Sequence, residues 1–205
     1  AVVIFFIFIS MSFLIGINIR SLFILAGSDI VSLPFLWHFM KDYQRNRILT
    51  LINPQADPLG SGYHIIQSKI AIGSGGYMGK GFMSGTQSQL NFLPEKHTDF
   101  IFSVFAEEMG FTGALLLITL YIILIIKGID VVYHARDRSG SLIAGGVVSM
   151  LAFHMIFNIG MTTGMFPVVG IPLPLMSYGG SYLVTTFISI GLLLNIKMRR
   201  FVDMG

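Results

Sequence analysis

Asp99 stands in the run Phe92-Leu93-Pro94-Glu95-Lys96-His97-Thr98-Asp99-Phe100-Ile101-Phe102, where a polar stretch gives way to an apolar one. Thr98 or Asp99 suits the N-cap of the helix that the following residues predict. The same placement suits catalysis. The helix dipole and the free amides of the first turn favour an ionised, oriented carboxylate, one that can accept a proton or bind a metal ion. Glu107 lies eight residues further on, about 80° round an ideal helix, and Glu108 about 180° round. Glu107 is therefore a candidate for the same cavity, against the alternative of a polar pair at a helix break. His97 is a candidate ligand or proton carrier, although a lone loop histidine is usually neither. Arg45, Arg47, Lys69, Lys80 and Lys96 are candidates to bind an anionic head such as a diphosphate; the alternative is ordinary surface cations touching anionic lipid. Gly73-Ser74-Gly75-Gly76 could offer backbone amides to phosphate, but it lacks P-loop spacing, and a flexible turn is the competing reading. His154 and Asn158, spaced i, i+4, share a helical face and suit an interhelical hydrogen-bond pair better than a metal site.

The elements that must position these residues are membrane helices. Of 205 residues, 54% are hydrophobic and 11% charged, against roughly 25% charged in soluble domains, and the mean hydropathy is +0.77. This implies an all-α polytopic membrane protein and leaves no cysteine for disulfides or thiolate metal sites. The pI near 9.3 reflects basic residues at the ends of apolar spans rather than a nucleic-acid surface. Five spans are expected, at about Ala1 to Ile19, Leu22 to Met40, within Phe100 to Ile129, within Ser141 to Phe166, and within Ser181 to Ile196, each needing roughly 20 residues. Asp29 in the second is costly in lipid unless it reaches water or Arg20. The third is interrupted by Glu107-Glu108-Met109-Gly110, which predicts either an interfacial helix feeding a span from Phe111 or one long tilted helix. The whole reads as a single membrane domain.

Residues 41–99 form a long loop carrying six of the thirteen Lys and Arg residues. Within it Tyr63, Ile66, Gln67 and Ile70 share a face and predict a short amphipathic helix over 63–72. Seven basic residues fall on the other side of the membrane, which is a weak orientation signal. The connection 167–180 has no charge, which suits an external segment and puts the long loop outside. Its prolines prevent a regular helix, and its apolarity predicts a segment dipping back against protein. The first residues run directly into apolar sequence without a signal-peptide pattern, so the chain reads as the C-terminal part of a longer protein.

Taken together, Asn53-Pro54, Asp57-Pro58, Gly60 to His64, Gln67 to Gly76, Gly85-Thr86-Gln87-Ser88-Gln89, Leu93 to Phe102, Glu107-Glu108, Asn158, Pro167, Gly170, Pro172 and Ser177-Tyr178-Gly179-Gly180-Ser181 resemble the SEDS family (shape, elongation, division and sporulation). The Gly85 to Gln89 segment is similar to its RodA-type elongation branch rather than the division branch, and Tyr182 departs from the small residue often found there. The resemblance implies a peptidoglycan glycosyltransferase that polymerises lipid II at the outer face of the bacterial cytoplasmic membrane, with a class B penicillin-binding protein and other membrane proteins of the elongation complex as partners. It implies that Asp99 is the catalytic aspartate, acting directly or through a divalent cation (Mg or Mn), with Ser177, Tyr178, Gly179 and Gly180 beside the substrate. The family has ten spans, so five imply that the first half is absent, with the isolated piece expected to be inactive. The competing functions are a lipid II flippase, suggested by Asp29, Glu107 and Glu108 in broken helices, and a non-catalytic scaffold that activates the partner.

Overall fold

The computed structural model describes residues 2–16, 38–56, 60–86 and 97–199. Arg20, most of span two (residues 22–37, with Asp29) and the candidate Lys96 lie outside the described residues. Among those described, every regular element is helical: α1 (Val2–Ile15), α2 (Asp42–Ile52), a 3-10 turn (Pro54–Ala56), α3 (Ser61–Ser74), α4 (Ile101–Tyr133), α5 (Arg138–Thr162) and α6 (Gly180–Arg199). Helices α4, α5 and α6 are long and apolar enough to cross a membrane. α1 is apolar but has only 14 residues. The chain is a multi-pass membrane protein, in the all-α class that its composition demands.

The residues divide into two compact units, one of Ala1–Arg45, Leu124–Phe153 and Phe187–Gly205, the other of Asn46–Ile123 and His154–Thr186. In the first unit, Val131, Val132, Ala144, Val148, Leu151 and Leu193 form a buried core. Gly128 lets α4 approach α5 closely, since a Cβ there would meet Val148 Cγ2 at 2.5 Å. Asp137 caps α5, its Oδ2 accepting from the Gly140 amide at 3.0 Å. Arg138 donates to the Ile15 carbonyl at the C-terminus of α1, at 3.0 Å, which satisfies an acceptor the helix leaves open.

The second unit holds the long loop from Asn46 onward, and much of that loop is helical. α2 was not expected there. Its start is nevertheless written in the sequence: Gln44 Oε1 accepts from the Lys41 amide at 3.1 Å, one half of a capping box, and Asn53-Pro54 stops the helix. α3 matches the amphipathic helix expected over 63–72, two residues longer at each end, but it buries a different face. Ile65, Ser68 and Ala71 are the fully buried positions, while Ile70 is exposed. Beyond Ile65 the buried stripe is made of the small residues Ser68 and Ala71, because α3 packs on helices rather than lying flat. Ser68 Oγ meets Ser103 Oγ of α4 at 2.6 Å and donates to the Thr162 carbonyl of α5, so three helices close on one hydroxyl.

α4 settles the question of the long third segment. It runs through residues 101–133 but is broken at Gly110, whose φ of 68° and ψ of −166° are not helical. Across the break, residues 76–81 supply partners to four backbone groups of α4. Phe111 and Thr112 donate to the carbonyls of Gly76 and Tyr77 at 2.8 and 3.2 Å; Lys80 and Gly81 donate to those of Glu107 and Glu108, both at 3.0 Å. Glycine is needed for this approach. A Cβ on Gly79 would sit 2.0 Å from the Glu108 oxygen, and one on Gly110 would sit 2.3 Å from the Gly79 nitrogen. The glycine-rich stretch is thus a backbone splint, not a phosphate cradle. The Gly75 amide is itself engaged with the Ala71 and Ile72 carbonyls at the end of α3.

Candidate active site

The first bonds of α4 are accepted by the Phe100 carbonyl, from the Ser103 and Val104 amides. Phe100 is therefore the cap position and Asp99 stands one residue outside it, so neither Thr98 nor Asp99 occupies the expected N-cap. Phe100 is buried against Ala71, with Val168 packed on the pair, and its ring lies 6.1 Å from that of His64. This anchor leaves Asp99 half-buried beside it.

Three consecutive carbonyls hold the turn in place. That of His97 accepts from the Tyr178 amide at 2.8 Å, that of Thr98 from Ser177 Oγ at 2.6 Å, and that of Asp99 from Asn158 Nδ2 at 2.9 Å. Ser177 Oγ also accepts from the Leu173 amide at 2.7 Å, and Asn158 Nδ2 also donates to the Ile171 carbonyl at 2.7 Å. Both side chains are buried, at 1% and 0% exposure. They lock the turn before α4 to the irregular link 167–180, which is itself packed down by Leu173 and by Tyr121 donating to the Pro174 carbonyl. Gly170, at φ +73°, passes beneath Asp99, where a Cβ would lie 3.0 Å from Asp99 Oδ2. His97, Ile101, Met176 and Tyr178 line an adjoining pocket of about 410 Å³. Tyr178 and Gly180 are exposed; Gly179 is half-buried.

Other sequence candidates have different work. Glu107 is fully buried and faces Lys80: Nζ lies 2.8 Å from Oε1, with Thr86 Oγ1 at 3.2 Å and Ser74 Oγ at 3.4 Å. Lys80 therefore neutralises a buried carboxylate rather than standing ready for a diphosphate, and Glu107 is drawn to the splint. Glu108 contributes its carbonyl there. Lys69 is exposed and lies across Gly164, where a Cβ would fall 2.7 Å from its Nζ. Arg45 donates to the His38 carbonyl at 2.8 Å, and Arg47 is exposed on α2. His154 and Asn158 share a face but serve different partners, the His154 ring lying tilted against that of Tyr182 with centroids 5.6 Å apart. No group of three or more acidic or imidazole side chains among the described residues gathers to hold a metal ion. Asp99 offers one carboxylate, and Mg is commonly held by one or two carboxylates together with substrate phosphates and water, so a Mg or Mn ion beside Asp99 stays a proposal and the proton transfer is derived for the carboxylate alone.

A family profile described as cell cycle protein, FtsW/RodA/SpoVE, matches residues 1–201. The chain belongs to the FtsW/RodA/SpoVE family. It is 51% identical over 189 residues to the peptidoglycan glycosyltransferase MrdB of Escherichia coli K12, covering 92% of this chain and 51% of that protein. It is 48% identical over 161 residues to the peptidoglycan glycosyltransferase RodA of Treponema pallidum, covering 78% and 37%. A solved structure described as "Structural coordination of polymerization and crosslinking by a peptidoglycan synthase complex" superposes with a TM-score of 0.80 at 36% identity, over 99% of this chain and 56% of that one. The rod shape determining protein RodA of Thermus thermophilus gives 0.50 at 38% identity, over 61% and 38%. The chain spans about half the length of the curated relatives it matches. Within this FtsW/RodA/SpoVE chain, local sequence rules do not reveal that Asn158 and Ser177 pin the backbone around Asp99. Their signal was a buried amide and a hydroxyl in helices and links with little else polar.

Proposed function

We propose that this chain carries the acceptor-activating carboxylate of a peptidoglycan glycosyltransferase that polymerises lipid II at the outer face of the bacterial cytoplasmic membrane, with a class B penicillin-binding protein as partner. The observation that carries this reading is the pinned turn. Three successive carbonyls are fixed by Asn158, Ser177 and Tyr178, so the Asp99 side chain is aimed by backbone rather than by a mobile loop. Preorganisation of that kind is what a general base requires.

In this reading Asp99 takes the proton of the acceptor GlcNAc 4-hydroxyl. The freed oxygen bonds to C1 of the donor MurNAc, the bond from C1 to the diphosphate oxygen breaks, and undecaprenyl diphosphate departs, so that the α-linked donor becomes a β-1,4 linkage. Lys69, exposed on α3, is the described cation of this unit best suited to offset the diphosphate, since Lys80 is engaged with Glu107. An apolar pocket of about 320 Å³ among Ile72, Phe102, Phe111, Leu115 and Ile159 suits part of a polyprenyl chain.

The test is purified full-length protein with its partner, given fluorescent lipid II in vesicles. Glycan polymer sensitive to a muramidase is expected. Lipid II that crosses the bilayer without polymer would make the protein a flippase, and polymer made only by a separate polymerase would make it a scaffold.

A further inference from the structure

Residues 77–83 are inside out for a loop in water. Tyr77, Met78, Phe82 and Met83 are 80%, 82%, 75% and 66% exposed. The one charged residue among them, Lys80, folds inward onto buried Glu107. A loop solvated by water buries its aromatics and shows its lysine. We propose that this loop is solvated by lipid: it is an anchor embedded in the leaflet at the Asp99 end of α4.

Three further observations favour lipid over a protein partner or a second copy. First, the part of the loop backbone that faces α4 is prepared for an apolar medium. The amides of Gly79, Lys80 and Gly81 are all bonded, as are the carbonyls of Gly76 and Tyr77, and hydrocarbon offers no replacement for such bonds. Second, the depth fits. The loop is hydrogen-bonded to residues 107–112, and the apolar run of α4 starts at Phe111. From there to Asp130 is about the 20 residues that cross roughly 30 Å of hydrocarbon, which puts the splint at the boundary. Third, the surface is continuous with a lipid-facing one. The Tyr77 ring meets Phe111 edge-on at 6.2 Å, and exposed Phe111, Leu115 and Leu116 extend it along α4. Aromatic residues gather at such an interface because their rings suit its mixed polarity.

The chain has no cysteine, so single spin labels can be placed at Met78→Cys and Phe82→Cys, with Leu116→Cys as the lipid-facing reference. The full chain is reconstituted in phosphatidylethanolamine and phosphatidylglycerol vesicles, and collision with oxygen is compared with collision with a water-soluble nickel chelate. Both loop labels are expected to favour oxygen several-fold, as the reference does. Preference for the nickel chelate would place the loop in water and overturn the proposal. Exclusion of both reagents would mean that protein covers it, and would overturn it equally.

Discussion

Asp99 owes its placement to atoms outside its own side chain. Asn158 Nδ2 bridges two carbonyls, of Asp99 and Ile171, and its removal leaves both buried acceptors short of a donor at about 1–3 kcal/mol each. Asn158→Ala is therefore expected to lower the thermal midpoint and, in the full-length protein, to reduce kcat by tenfold or more while KM for lipid II changes little. A rise in KM with kcat intact would place Asn158 in substrate binding instead. Ser177→Ala strands the Thr98 carbonyl and the Leu173 amide and should behave in the same way, whereas a substitution at exposed Tyr178 should act mainly on KM. Lys80 and Glu107 form a different kind of unit. Removing one partner of a buried pair costs about 3–5 kcal/mol, so Lys80→Met should destabilise strongly and Lys80→Met with Glu107→Gln should recover much of the loss in denaturation experiments. Equal loss in the single and double variants would show that the pair is not coupled.

At the scale of elements, the break in α4 and the splint over it depend on each other. Gly110 adopts φ 68°, and a side chain there would strike the loop backbone. Gly110→Ala should release residues 76–83 and open them to protease, with α4 still helical by circular dichroism; unchanged protection would mean that the loop holds without the break. The sequence shows why such features were only partly legible. Spans α4, α5 and α6 were readable because hydrocarbon requires long apolar runs. The existence of α3 was readable from its period, but not its buried face, because Ser68, Ala71 and Gly75 are chosen for closeness rather than hydrophobicity. Glu107 follows Asp99 by eight residues, yet the inward Lys80 decides its partner, through a contact 27 residues apart in the chain. Type and position single out Asp99 as a candidate. Its misassigned cap followed from local rules that do not see Asn158 and Ser177, which reach it from beyond α4.

For the whole molecule, the arrangement has a side. If the loop holding the site faces outward and the apolar run of α4 crosses the membrane, a membrane-impermeant thiol reagent on intact cells should label Tyr178→Cys but not Tyr133→Cys; the reverse pattern would invert the topology. The family and the 0.80 superposition on a peptidoglycan synthase complex bear on the fold of the chain, while the proposed chemistry rests on one side chain. The decisive measurement is polymerisation of labelled lipid II by full-length protein with its partner, comparing wild type with Asp99→Asn at equal folding and equal partner binding. Because the amide keeps the shape and cannot take the proton, the account predicts a fall of at least about 10²-fold. Polymer formed by Asp99→Asn at the wild-type rate would contradict it.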